Sequence, residues 1–168
     1  PFYDFFKRYG KDALIILVLV ATYRISDVVM GVMANVFYID LGFEKYEIGR
    51  LTKGFGLIMT IIGGFVGGVL IFKRGIIFSL FVGAVLAAST NLLFVLLAQM
   101  GKNIFLLMAV ISMDNLSAGI ASVAFVAYLS SLTNTAFTAS QYAIFSSLML
   151  LFPKLLAGYS GLVVEFIG

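Results

Sequence analysis

Apolar runs of similar length, separated by short polar or basic joints, constrain this chain more than any other feature. Gly54–Phe72 carries no charge and stops abruptly at Lys73-Arg74, and Asn115–Pro153 contains no ionised residue. A soluble globule covers its surface with about 25% charged residues. Here only 11% are charged, 62% are hydrophobic, and the mean hydropathy is +1.12. Roughly 20 apolar residues cross a bilayer, so the chain folds as an all-α polytopic membrane protein of about five transmembrane helices.

The first predicted span is Ala13–Phe37, interrupted by Arg24 and Asp27. A polar loop from Asp40 to Glu47 leads into Ile48–Phe72, and a third span covers Ile76–Gln99. Gly101-Lys102-Asn103 then turns the chain into Ile104–Ser130. The cluster Ser130–Thr135 is the next predicted turn, and Ala136–Val163 the fifth span, with Pro153 marking a kink. Residues 1–12 are read as a cytoplasmic lead-in and linker, 13–168 as the transmembrane bundle. Lys7, Arg8 and Lys11 lie two crossings from Lys73 and Arg74, so both groups face the cytoplasm under the positive-inside rule. The opposite side receives Asp40, Glu44, Lys45 and Glu47. With Pro1 at its start and Gly168 just beyond an apolar run, the chain reads as part of a longer protein or a truncated product.

Several function classes are excluded by residue type. The chain has no His and no Cys, which removes a thiol nucleophile, a disulfide, an iron–sulfur site and the commonest zinc ligand. No metal or cofactor is expected. The net charge of +3 is scattered beside apolar runs, where it sets topology and gives no footprint for nucleic acid. No catalytic triad can be assembled, so an enzyme is not expected.

The chemistry-bearing positions are charges and amides inside apolar runs. A charge in hydrocarbon costs on the order of 2.5–3.5 kcal/mol even on lenient scales. Arg24 and Asp27, three apart, share one helix face with Gly31 and Asn35; the pair binds substrate, couples an ion, gates, or is a structural salt bridge. Lys53 is placed on one face with Gly56, Thr60, Gly63 or Gly64, and Gly67, either at a cavity wall or snorkelling to headgroups. Gly63, Gly64, Gly67 and Gly68 give overlapping GxxxG spacings, a close helix-packing signal. Asp114 and Asn115 bind a polar substrate, exchange protons, or mark a packing site, with Ser117, Ala121, Ala124 and Tyr128 on the Asp114 face. Gln141, near Asn134 and Thr138, bonds a polar substrate or a neighbouring helix. Lys154 meets an anionic group, or pairs with Asp27 or Asp114.

The chain resembles the C-terminal half of a muropeptide permease of the AmpG family, a branch of the major facilitator superfamily. The resemblance is carried by the leading segment Pro1–Gly10, by Tyr23-Arg24-Ile25-Ser26-Asp27, and by Leu41-Gly42-Phe43 with Glu47-Ile48-Gly49. It continues through Lys53–Leu57, the Gly63–Gly68 run, Ala124–Leu129, Phe137–Ala143 and Gly158–Gly168. It implies that the five spans are helices seven to eleven of a twelve-helix transporter, an incomplete major-facilitator C-terminal bundle. Gly67-Gly68 through Lys73-Arg74-Gly75 resembles the superfamily's cytoplasmic signature without its usual acidic residue. The implied activity is import of anhydro-muropeptides across the bacterial cytoplasmic (inner) membrane, driven by protons. Its partners are then the amino-terminal six-helix half, the missing last helix and a glycopeptide substrate. Carboxylates on that substrate suit Arg24, Lys53 and Lys154, and its neutral groups suit Asn115 and Gln141. The alternatives are half of an acetyl-CoA-type or other small-solute transporter, and a non-transporting membrane interaction protein or relic.

Overall fold

The computed structural model describes residues 2–134 and 138–167. Among them every regular element is helical: α1 (Phe2–Tyr9), α2 (Asp12–Thr22), α3 (Ile25–Asp40), α4 (Lys45–Arg50), a π-helical turn (Leu51–Gly56), α5 (Leu57–Arg74), α6 (Ile76–Met100), α7 (Ile104–Leu132) and α8 (Thr138–Ile167). Five stretches are long and apolar enough to cross a membrane: Asp12–Asp40, Lys45–Arg74, Ile76–Met100, Ile104–Leu132 and Thr138–Tyr159. At 1.5 Å per residue each reaches about 30 Å, the thickness of a bilayer core. The chain is a multi-pass α-helical membrane protein. Predicted boundaries at Thr135, Ala136, Pro1 and Gly168 lie outside the described residues.

The helix ends follow from local chemistry. Gly75 (φ +88°) and Gly101 (φ +69°) close α5 and α6 in a backbone region that side chains rarely enter. Asn103 Oδ1 accepts from the backbone N–H groups of Phe105 and Leu106, both at 3.1 Å, and so caps α7. At the start of α4, Glu47 accepts from the Glu44 backbone N–H at 2.9 Å. The loop predicted to reach Glu47 therefore already turns helical at Lys45. Pro153 is buried inside α8, which continues through it.

The chain divides into two compact units, residues 1–33 with 129–168, and residues 34–128. In the first, α2 packs along α8, and Phe5 of α1 is buried edge-on against Phe145 of α8, ring centroids 5.0 Å apart. The segment read as a linker thus contains a docked helix. In the second unit, α5 and α7 approach backbone to backbone. A Cβ on Gly63 would stand 2.2 Å from the Leu116 carbonyl oxygen, and one on Gly119 2.3 Å from that of Thr60. Such contact maximises dispersion where no hydrophobic effect drives helices together. Tyr38 and Phe94 stack at 6.0 Å in the same unit. Apolar side chains elsewhere on α5 and α6 point outward, the expected dress for contact with lipid.

Candidate functional site

Span one is not a single regular helix. It breaks between Thr22 and Ile25, and Arg24 occupies the break. Three residues on, Asp27 lies in the first turn of α3, where a carboxylate favours the helix N-terminus. The Arg24 Nε to Asp27 Oδ2 distance is 3.7 Å, and both side chains are about four-fifths buried. That separation makes an ion pair but exceeds hydrogen-bond length. Arg24 Nε is enclosed without a hydrogen-bond partner. A guanidinium left in this condition retains donor capacity for an incoming acceptor. Further along α3, Gly31 and Asn35 are exposed.

The first unit holds a second polar cluster that sequence reasoning only touched. Gln141, at 2% exposure, lies at its centre. Its Nε2 donates to Asp4 Oδ2 at 3.2 Å, while its Oε1 accepts from Arg8 Nη2 at 3.2 Å and from the Asn134 backbone N–H at 2.7 Å. Arg8 Nη2 also donates to the Leu132 carbonyl at 3.0 Å, and its Nε to Asp4 Oδ2 at 3.1 Å. Asn134 Nδ2 adds donors to both Asp4 oxygens at 3.2 Å. The Asn134 amide, then Gln141 and the Arg8 guanidinium, hold the Asp4 carboxyl below the ordinary carboxylate range against partial desolvation. The cluster clamps α1 onto the ends of α7 and α8. The signal that could have revealed it was Asp4 and Arg8 four residues apart on a helix with Phe5 between them.

In the second unit, Asn115 of α7 meets α5. Thr60 Oγ1 lies 3.0 Å from the Gly56 carbonyl and 3.1 Å from Asn115 Oδ1, and Asn115 Nδ2 donates to the Ile111 carbonyl at 2.7 Å. A Cβ on Gly56 would stand 3.1 Å from Asn115 Nδ2 and press on that amide. Asp114 is half-buried, and its backbone carbonyl accepts from Ser117 Oγ at 2.8 Å. Ser117, Ala121, Ala124 and Tyr128 on that face are all buried.

Lys53 is exposed and sits within the π turn Leu51–Gly56. A π turn is wider than an α turn, so it takes Lys53 out of phase with the Gly56–Thr60–Gly63–Gly67 stripe. Lys154 is exposed on α8 and forms no ion pair with Asp27 among the described residues. Of the glycine run, Gly63 and Gly67 touch α7 backbone, Gly64 makes an ordinary contact with Val123, and Gly68 faces open space.

No protein-family model matches the chain. It is 34% identical, over all 168 residues, to proteins named "Putative transporter AmpG 4" in Rickettsia conorii and Rickettsia felis, and spans 40% of each. A protein named "Putative transporter AmpG 1" in Rickettsia prowazekii is 33% identical over 157 residues, 91% of this chain and 35% of that one. The chain spans about two fifths of the length of the first two relatives. The likeness runs over the whole length of this chain, and the proteins it is similar to are named as AmpG transporters.

Proposed function

We propose that the chain forms part of a secondary transporter of the bacterial inner membrane that imports anhydro-muropeptides with protons. The observation that carries this reading is the Arg24–Asp27 pair, mostly buried within span one at a helix break. An ionic pair is a poor device for stability alone in such a place, whereas transporters put discontinuous helices and charges at their binding sites. In this reading Arg24 receives a substrate carboxylate, and Asp27 takes up the proton that weakens its hold on Arg24. Asp114 is the second coupling candidate. Asn115 and Gln141 already spend their amides within the protein, so they shape the helices around the path. Lys53 and Lys154, both exposed, attract anionic substrate from outside the first contact shell. The naming of the relatives as transporters supports the reading.

A chain of two fifths of its relatives' length needs complementary helices, because transporters of this kind bind between structural repeats. The test is uptake of labelled anhydro-muropeptide by permease-deficient cells carrying the chain with and without an amino-terminal six-helix partner and a last helix. Uptake only on co-expression is expected. Asp27→Asn should abolish accumulation against a gradient while leaving exchange, and Arg24→Gln should abolish both. Correct insertion without uptake in any combination refutes the reading and favours a non-transporting membrane protein.

A further inference from the structure

Two helix ends and the joint between them are tied by one short helix. Arg8 Nη2 of α1 donates to the carbonyl of Leu132, the last residue of α7, and also to Gln141 Oε1 in the first turn of α8. A single guanidinium nitrogen thus staples the end of one helix to the start of the next. The carbonyls that end α7 have no partner within that helix, and they carry the negative end of its dipole, so a guanidinium suits them. One turn earlier on α1, Asp4 accepts from Gln141 Nε2 on α8 and from Asn134 Nδ2 in the joint between α7 and α8.

The same helix is built to come away. It has eight residues, too few to persist as a helix without its docking site. It joins α2 through Gly10 and Lys11, both exposed. Gly10 stands at φ +52° with nothing within 4 Å of where a Cβ would lie, so no neighbour blocks rotation at that joint. Arg8 and Asp4 are paired with each other inside α1 at 3.1 Å, with 31% and 27% of their side chains exposed. Release therefore carries the two charges out together, and water takes the place of the donors and acceptors left behind. The apolar contact given up is Phe5 against Phe145. Docked and released are two discrete arrangements, because the polar hub and the aromatic contact are made or lost as one.

We propose that α1 is a hinged strap: docked, it fixes the end of α7 against the start of α8, and released, it lets those two ends part. The strap rests on the first unit and the ends of its helices alone, so it survives failure of the transport reading. Under that reading it sets when this end of α7 and α8 opens.

The test uses the full 168-residue chain in nanodiscs, spin-labelled at exposed positions. Tyr3→Cys reports on α1, and Ser131→Cys with Ala139→Cys reports on the two helix ends. Gln141→Glu sets a second carboxylate against Asp4 and should lower the docked-to-released ratio about 30-fold. The Tyr3 label should then become mobile, and the separation between positions 131 and 139 should lengthen and broaden. Adding Asp4→Asn to Gln141→Glu exchanges acid and amide across the contact and leaves Arg8 a carboxylate to hold. Both readouts should return toward wild type. Arg8→Gln removes the staple from the α1 side without touching α8, and gives the same test if Gln141→Glu disturbs insertion. A mobile Tyr3 label in wild type, release of α1 with the 131–139 separation unchanged, or an exchanged pair no better than Gln141→Glu alone would each overturn the proposal.

Discussion

At the scale of single residues, glycines five apart along α5 do opposite things. Gly63 stands where a Cβ would enter the Leu116 carbonyl, and no side chain can give way there because the obstacle is backbone. Gly63→Ala should destabilise the second unit by about 1–3 kcal/mol, and Gly119→Ala similarly, whereas Gly68→Ala should change stability by less than about 0.5 kcal/mol. Denaturant titration in mixed micelles ranks the three. Asp4 gives a pH-dependent prediction. Its pKa is depressed in the folded state by Asn134, Gln141 and Arg8, so its contribution is present above the unfolded value of about 3.9 and is lost as pH falls through the lower folded value. A spin label on Tyr3→Cys, at a position 82% exposed on α1, should stay immobilised at neutral pH and loosen only in acid below about pH 4. In Asp4→Asn it should be looser at neutral pH and lose the acid step.

At the scale of elements, the order and rough limits of five apolar helices were legible, because charge and amides are costly in hydrocarbon wherever the chain lies. The charged interruption at Arg24 and Asp27 was legible for the same reason, but the turn between Thr22 and Ile25 was not, since the span was read as one helix. The π turn was not: Leu51–Gly56 has no residue that demands an i→i+5 bond, and its wider turn displaced Lys53 from the face expected by α-helical counting. Deleting Gly54 should convert Lys45–Arg74 into one α-helix in which Lys53 precedes Gly56 by two residues, about 200° round the axis and still off that stripe. Maleimide labelling of Lys53→Cys should therefore stay as rapid after the deletion as in the parent. Gln141 was legible as a polar residue inside an apolar helix, but its partners were not. Asp4 and Arg8 lie more than 130 residues away in sequence, beyond any local pattern.

At the scale of the whole molecule, the basic groups give a testable topology. Lys7 lies in α1, Lys11 directly precedes α2, Lys73 is in the last turn of α5, and Tyr46 lies at the other end of that membrane crossing. Cysteine probes at Lys7 and Lys73 should label from the cytoplasmic side, and one at Tyr46 from the opposite side. The parent sequence contains no Cys, so no background substitution is needed. Labelling of Lys73→Cys and Tyr46→Cys from the same side would refute the span assignment of Lys45–Arg74.

The clamp on α1 also has a consequence in time. Its acid and guanidinium leave the ribosome well before the amide that joins them, which is encoded 137 residues after Asp4. At roughly 5–20 residues per second, a ribosome needs about 7–27 s to cover that distance. Throughout that interval α1 waits at the membrane surface with Phe5 uncovered and Asp4 paired only with its own-helix arginine. Its docking therefore waits on α8 and reports that this helix has been inserted.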